Sequence, residues 1–102
     1  MTRRVRRHAD FLADLRRQVR WLERNRDERW ILRLREAIGE ATRAVARFPA
    51  LGVTVNFDDP RHPRWLRKLI LRDVPFVIWY AVERDSVWFL RLFHVHQKRS
   101  QL

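Results

Sequence analysis

From Ala9 onward, the apolar residues Phe11, Leu12, Leu15, Val19 and Leu22 fall at helical spacing, with Arg16, Arg17, Arg20 and Glu23 on the other side. Asn25 to Asp27 interrupts the pattern. It resumes from about Glu28 to Arg47, where Ile31, Leu34, Ile38, Ala41, Val45 and Phe48 alternate steps of three and four, and Pro49 and Gly52 end it. Two such helices joined by a short polar link predict an antiparallel hairpin that buries one stripe of each. Residues Val53 to Pro63, with Asn56, Asp58, Asp59 and two prolines, read as a loop. Trp65 to Leu71 is a candidate strand, and Asp73-Val74-Pro75 turns the chain. Phe76 to Val82 is dense in aromatic and β-branched residues, Glu83 to Ser86 supplies a tight turn, and Val87 to His94 returns antiparallel. Thr2 to Arg7 is arginine-rich around a single apolar Val5 and reads as an edge strand or an unstructured arm. The predicted order is β-α-α-β-β-β. This is an α+β fold, a single domain over 1–102 with an N-terminal strand and a helix hairpin packed on a small antiparallel sheet.

Composition narrows the functional classes. The chain has 102 residues, 46% of them hydrophobic, with five Trp and six Phe, enough for one modest core. Its formal net charge is +11, spread through both halves and carried almost wholly by arginine. Such a field favours an anionic partner, whether nucleic acid, the ribosome or an acidic protein; an arginine-preferring proteome is the plainer explanation. The lack of cysteine excludes disulfides and thiolate metal sites. Asp10 and Asp14 interrupt any signal-like apolar run, no stretch reaches about 18 apolar residues, and a cytoplasmic protein with no membrane association is expected. Two glycines cannot build a phosphate-cradling loop, so nucleotide hydrolysis is excluded and no cofactor is expected.

Three segments together resemble the RelE/ParE superfamily of toxins from type II toxin–antitoxin modules. His8-Ala9-Asp10-Phe11-Leu12-Ala13-Asp14-Leu15 is similar to the family's A-x-x-D-L, and Ala46-Arg47-Phe48-Pro49-Ala50-Leu51-Gly52 to its L-x-x-x-P-x-x-G. Pro75 to Val82 and Val87 to His94 follow P-Y-x-I-x-Y-x-V and I-x-I-L-R-V-x-H. The nearer likeness is to ParE, whose final L-R-x-x-H is usually followed two places later by a basic residue. His96 stands there in this chain, and the basic residues come at Lys98 and Arg99. The ParE resemblance implies a non-catalytic poison of DNA gyrase. The RelE alternative implies an endoribonuclease that cuts messenger RNA on the ribosome. Either implies a hetero-oligomer with a cognate acidic antitoxin and no small-molecule substrate. A non-toxic nucleic-acid-binding module is the reading from outside the family.

The candidate residues follow from these readings. Target binding is assigned to Arg67, Arg91, His94, His96, Lys98 and Arg99. Strict alternation puts Trp88, Leu90, Leu92 and His94 on the hairpin side, and Val87, Phe89, Arg91 and Phe93 on an open face. An open face of arginines and rings suits phosphates and stacked bases, or the arginines simply reach solvent. A ribonuclease would take proton transfer from His94 or His96 and charge stabilisation from Arg67 and Arg91. Neither Tyr nor Glu lies near the tail, and the lone Tyr80 is mid-strand. His94 with His96 could chelate a metal only with His62, Asp58 or Asp59, so no metal site is assigned. Five tryptophans exceed what so small a core needs, which marks Trp21, Trp30, Trp65 and Trp79 as antitoxin contacts.

Overall fold

A computed structural model describes residues 2–55 and 66–96. Its elements are β1 (Arg4–Arg7), α1 (Ala9–Arg24), α2 (Glu28–Arg47), β2 (Val53–Thr54), β3 (Leu66–Ile70), β4 (Phe76–Val82) and β5 (Ser86–His94). His8 caps α1 by accepting the Asp10 N–H at its Nδ1, 3.1 Å away. Asn25 closes the other end, its Nδ2 donating to the Trp21 carbonyl at 2.7 Å. Arg26 then takes a left-handed φ of 56°, and the chain reverses into α2. Among the described residues no helix is long and apolar enough to cross a membrane.

The strands form one sheet in the order β1-β5-β4-β3-β2. β1 runs parallel to β5, while the other pairings are antiparallel, so the sheet is mixed rather than wholly antiparallel as expected. The first and last strands therefore lie side by side. Val53–Thr54, expected in a loop, pairs with Arg67 and Lys68 as the short outer strand β2. Too few residues take part for their alternation to show in sequence. The rest of the expected loop, 56–63, lies outside the described residues, as does Trp65 at the start of the expected third strand.

The helix hairpin covers one sheet face. Phe11, Leu22, Leu34, Ile38 and Val45 pack on Ile78, Tyr80, Val87, Phe89 and Leu92, with Phe11 and Phe89 ring centroids 5.4 Å apart. On the opposite face Val55, Leu66, Trp79 and Phe93 form a smaller buried cluster.

A bulge decides which β5 residues reach which side. Tyr80 pairs with Phe89 and Trp79 with Arg91, which leaves Leu90 without an opposite number. Val87 and Phe89 therefore face the helices before it, and Leu92 faces them after it. Leu90 and Phe93 belong to the other face. The strict alternation expected from sequence fails here: Val87, Trp88, Phe89 and Leu90 exchange sides relative to that reading, because one inserted residue shifts the register by one.

Candidate functional site

Asp14 is the one charged residue buried among the described residues, 3% exposed on α1. Its carboxylate accepts Arg91 Nε at 2.8 Å, Arg91 Nη2 at 3.1 Å and the Leu92 backbone N–H at 2.9 Å. β1 pairs with β5 only as far as Phe89, so the Leu92 N–H lies beyond its reach. The carboxylate supplies the missing acceptor. Hydrogen bonding to Asp14, against the opposing effect of burial, raises the Arg91 pKa above its already high ordinary value. Arg91 does share the face of Trp79 and Phe93, as the alternation expects, but its head is not open there. Its guanidinium turns to α1, although it also stacks on Phe93 at 5.2 Å.

Arg67 is engaged as well. Its Nη1 donates to the Gly52 carbonyl at 2.7 Å. The fully buried Tyr80 hydroxyl accepts the Gly52 N–H at 2.8 Å and donates to the Pro49 carbonyl at 2.8 Å. A Cβ on Gly52 would stand 2.5 Å from the Lys68 carbonyl oxygen and 2.8 Å from the Tyr80 hydroxyl, so this close approach requires glycine. Tyr80 and Arg67 together latch the turn after α2 onto β3 and β4. Burial raises the Tyr80 pKa, partly offset by the Gly52 hydrogen bond and by Arg67.

At the other end of the hairpin a groove of about 420 Å³ opens between helices and sheet. Trp21, Leu22 and Trp30 form one wall and Pro75, Phe76 and His94 the other, with Gln18 and Asp27 as its polar members. Trp21 is 52% exposed and Trp30 37%. His94 packs edge-on against Phe76 at 5.3 Å, and its Nδ1 accepts the His96 N–H at 3.2 Å. Burial, reinforced by repulsion from His96, lowers the His94 pKa below 6.5 and keeps the ring neutral near pH 7.

The expected residues are therefore not one constellation. His94 and His96 stand together with ring centroids 5.3 Å apart, Arg91 and Arg67 are held by separate structural partners, and Lys98 and Arg99 lie outside the described residues. Trp79, expected at an antitoxin contact, is buried at 3% and packs edge-on against Phe93 at 4.8 Å; the second core requires its bulk. Among the described residues no group of three His, Asp or Glu is placed to hold a metal; His62, Asp58 and Asp59 are not among them.

Residues 5–99 match the family model of the ParE toxin of the type II toxin–antitoxin system parDE. The chain belongs to the ParE toxin family. A curated relative from Sinorhizobium fredii (strain NBRC 101917 / NGR234), described as "Putative toxin Y4kP", is 37% identical over 65 residues, 64% of this chain. The matched stretch spans 60% of that relative's length. In three dimensions the chain is similar to one from the chromosomal ParDE TA system of P. aeruginosa, with a TM-score of 0.70 and 17% identity. That likeness covers 91% of this chain and 96% of the other, and it shows the fold.

Within this ParE fold the sequence landmarks acquire physical roles. Asp14 of the A-x-x-D-L segment grips the L-R segment of β5, and Gly52 of P-x-x-G seats Tyr80. Asp14 is the residue to which the motif reading assigns no role, and its role here is structural. The available signal was a carboxylate three residues after Phe11, on the same apolar stripe.

Proposed function

We propose that this ParE-family toxin arrests growth by binding DNA gyrase rather than by chemistry of its own, and that a cognate acidic antitoxin neutralises it at the Trp21–Trp30 groove. One observation carries the first part. Arg67 and Arg91, which a nuclease would need to stabilise a pentavalent phosphate, are committed to the Gly52 carbonyl and to Asp14. The groove supports the second part. Two exposed tryptophans and Phe76 offer an apolar seat on a chain of net charge +11, which suits an acidic segment presenting apolar anchors. The cytoplasm, where gyrase and its DNA are found, is the compartment this reading requires.

The His94–His96 pair is the observation that favours the ribonuclease alternative, since a neutral imidazole beside a second one can move protons. Purified protein separates the two readings. Added to DNA gyrase, it is expected to inhibit supercoiling, and His94→Gln/His96→Gln is expected to inhibit equally well. Cleavage of messenger RNA on ribosomes, lost in that same variant, would overturn the gyrase reading.

A further inference from the structure

The first strand carries a feature that neither the groove nor the latches use. Arg3, Arg4, Arg6 and Arg7 occupy four of five consecutive positions, and all four are exposed. β1 is an edge strand, hydrogen-bonded only to β5 in the sheet. Val5 packs toward the helix core, so alternation puts Arg4 and Arg6 on the opposite face, roughly 6.6 Å apart along the strand. Arg7 turns the other way, over the Phe11 ring at 5.8 Å. Arg3 Nε donates to the Arg84 carbonyl at 3.4 Å, which brings a fifth arginine beside the start of the strand. Among the described residues none of these arginines has an ion-pair partner; Asp10 pairs with His8, and Glu83 and Asp85 of the neighbouring turn reach no cation.

This is a row of unneutralised cations without an apolar centre. A protein partner of ordinary affinity needs buried anchors, and the one large ring here, Trp88, lies under the Arg6 guanidinium at 5.6 Å. A single strand of nucleic acid would bind by stacking its bases on open rings, and the same guanidinium occupies that position. A duplex asks for neither. It presents a regular row of phosphates to whatever arginines reach them, with a charge every ~3.4 Å on each strand.

We propose that β1 is a sequence-independent binding surface for the phosphate backbone of double-stranded DNA, with Arg4 and Arg6 as its principal contacts and Arg3 and Arg7 beside them. The surface operates without gyrase, and its test stands apart from the gyrase reading.

The test is fluorescence anisotropy of a labelled DNA duplex of arbitrary sequence, titrated with the whole chain between about 50 and 200 mM salt. Arg4→Gln/Arg6→Gln is expected to weaken binding and to reduce the slope of log K against log salt by about 2, one unit for each lost phosphate contact. Arg3→Gln/Arg4→Gln leaves the Arg6–Trp88 stack intact and is expected to lower the slope similarly, so misfolding of the first variant cannot imitate the result. Arg24→Gln/Arg29→Gln, at the far tip of the hairpin some ~24 Å along α1, is expected to leave the slope unchanged. Equal loss from the tip pair, an unchanged slope in the strand variants, or tighter binding of single-stranded DNA or polyglutamate than of the duplex would each overturn the proposal.

Discussion

The Asp14 carboxylate accepts three hydrogen bonds, from two Arg91 nitrogens and the Leu92 backbone, in a place 3% exposed to solvent. Removing it leaves a half-buried guanidinium unpaired and a strand N–H without an acceptor, whereas removing Arg91 leaves a buried carboxylate facing only Arg17 and the Leu92 N–H. Asp14→Ala is therefore expected to destabilise the fold by about 3 kcal/mol in urea denaturation. Arg91→Ala is expected to cost a similar amount. A double-mutant cycle should return a coupling of about 1.5–3 kcal/mol, the range for hydrogen bonds to charged groups. Additive losses would show that the pair contributes no mutual stabilisation. An arginine that first looked free for a target thus belongs to the device that joins α1 to β5, and sequence alone could not reveal this because its partner lies 77 positions away.

At the scale of elements, the helix hairpin and the β4–β5 pair were legible because their apolar periods are long and unbroken. The bounds Glu28–Arg47 and Phe76–Val82 agree with the sequence reading residue for residue. What escaped was what one residue or a distant partner decides. The bulge at Leu90 reverses the parity of β5, β2 is too short to show a period, and the parallel partner of β1 is the last strand. The tryptophans divide along the same lines. Trp21 and Trp30 sit on the exposed tip of the hairpin, whereas Trp79 lies mid-sheet where the second core closes over it. Trp79→Ala is accordingly expected to cost about 3–5 kcal/mol of stability. Trp21→Ala and Trp30→Ala should leave the melting temperature of the free protein nearly unchanged while each weakens antitoxin binding, by about 2 kcal/mol if it is a hot spot. Calorimetry on the purified pair measures this, and undiminished affinity in both variants would remove the groove from the interface.

For the whole molecule, one ionisable ring links stability to pH at the groove. His94 is held below its ordinary pKa of 6.5 by burial and by His96, with Asp27 the acidic group across the groove. Between the lowered folded value and the unfolded one, the unfolded chain binds more protons. The stability this ring contributes is therefore complete above about pH 6.5 and is lost as the pH falls through the folded pKa. Wild type should lose more stability than His94→Gln on acidification from about pH 7.5 to 5.5, as read by denaturant midpoints. Equal losses would show that His94 does not carry the effect. On the proposed reading, function at this scale rests on surface rather than on a reactive centre: an aromatic groove at one end of the hairpin and a cationic strand at the edge, with the arginines a nuclease would use held in latches. The most direct test is to induce the chain without its antitoxin and follow DNA and protein synthesis separately. Binding to gyrase predicts early arrest of DNA synthesis with filamentation and a DNA-damage response while translation continues. Early loss of translation with cut transcripts, or harmless expression, would contradict it.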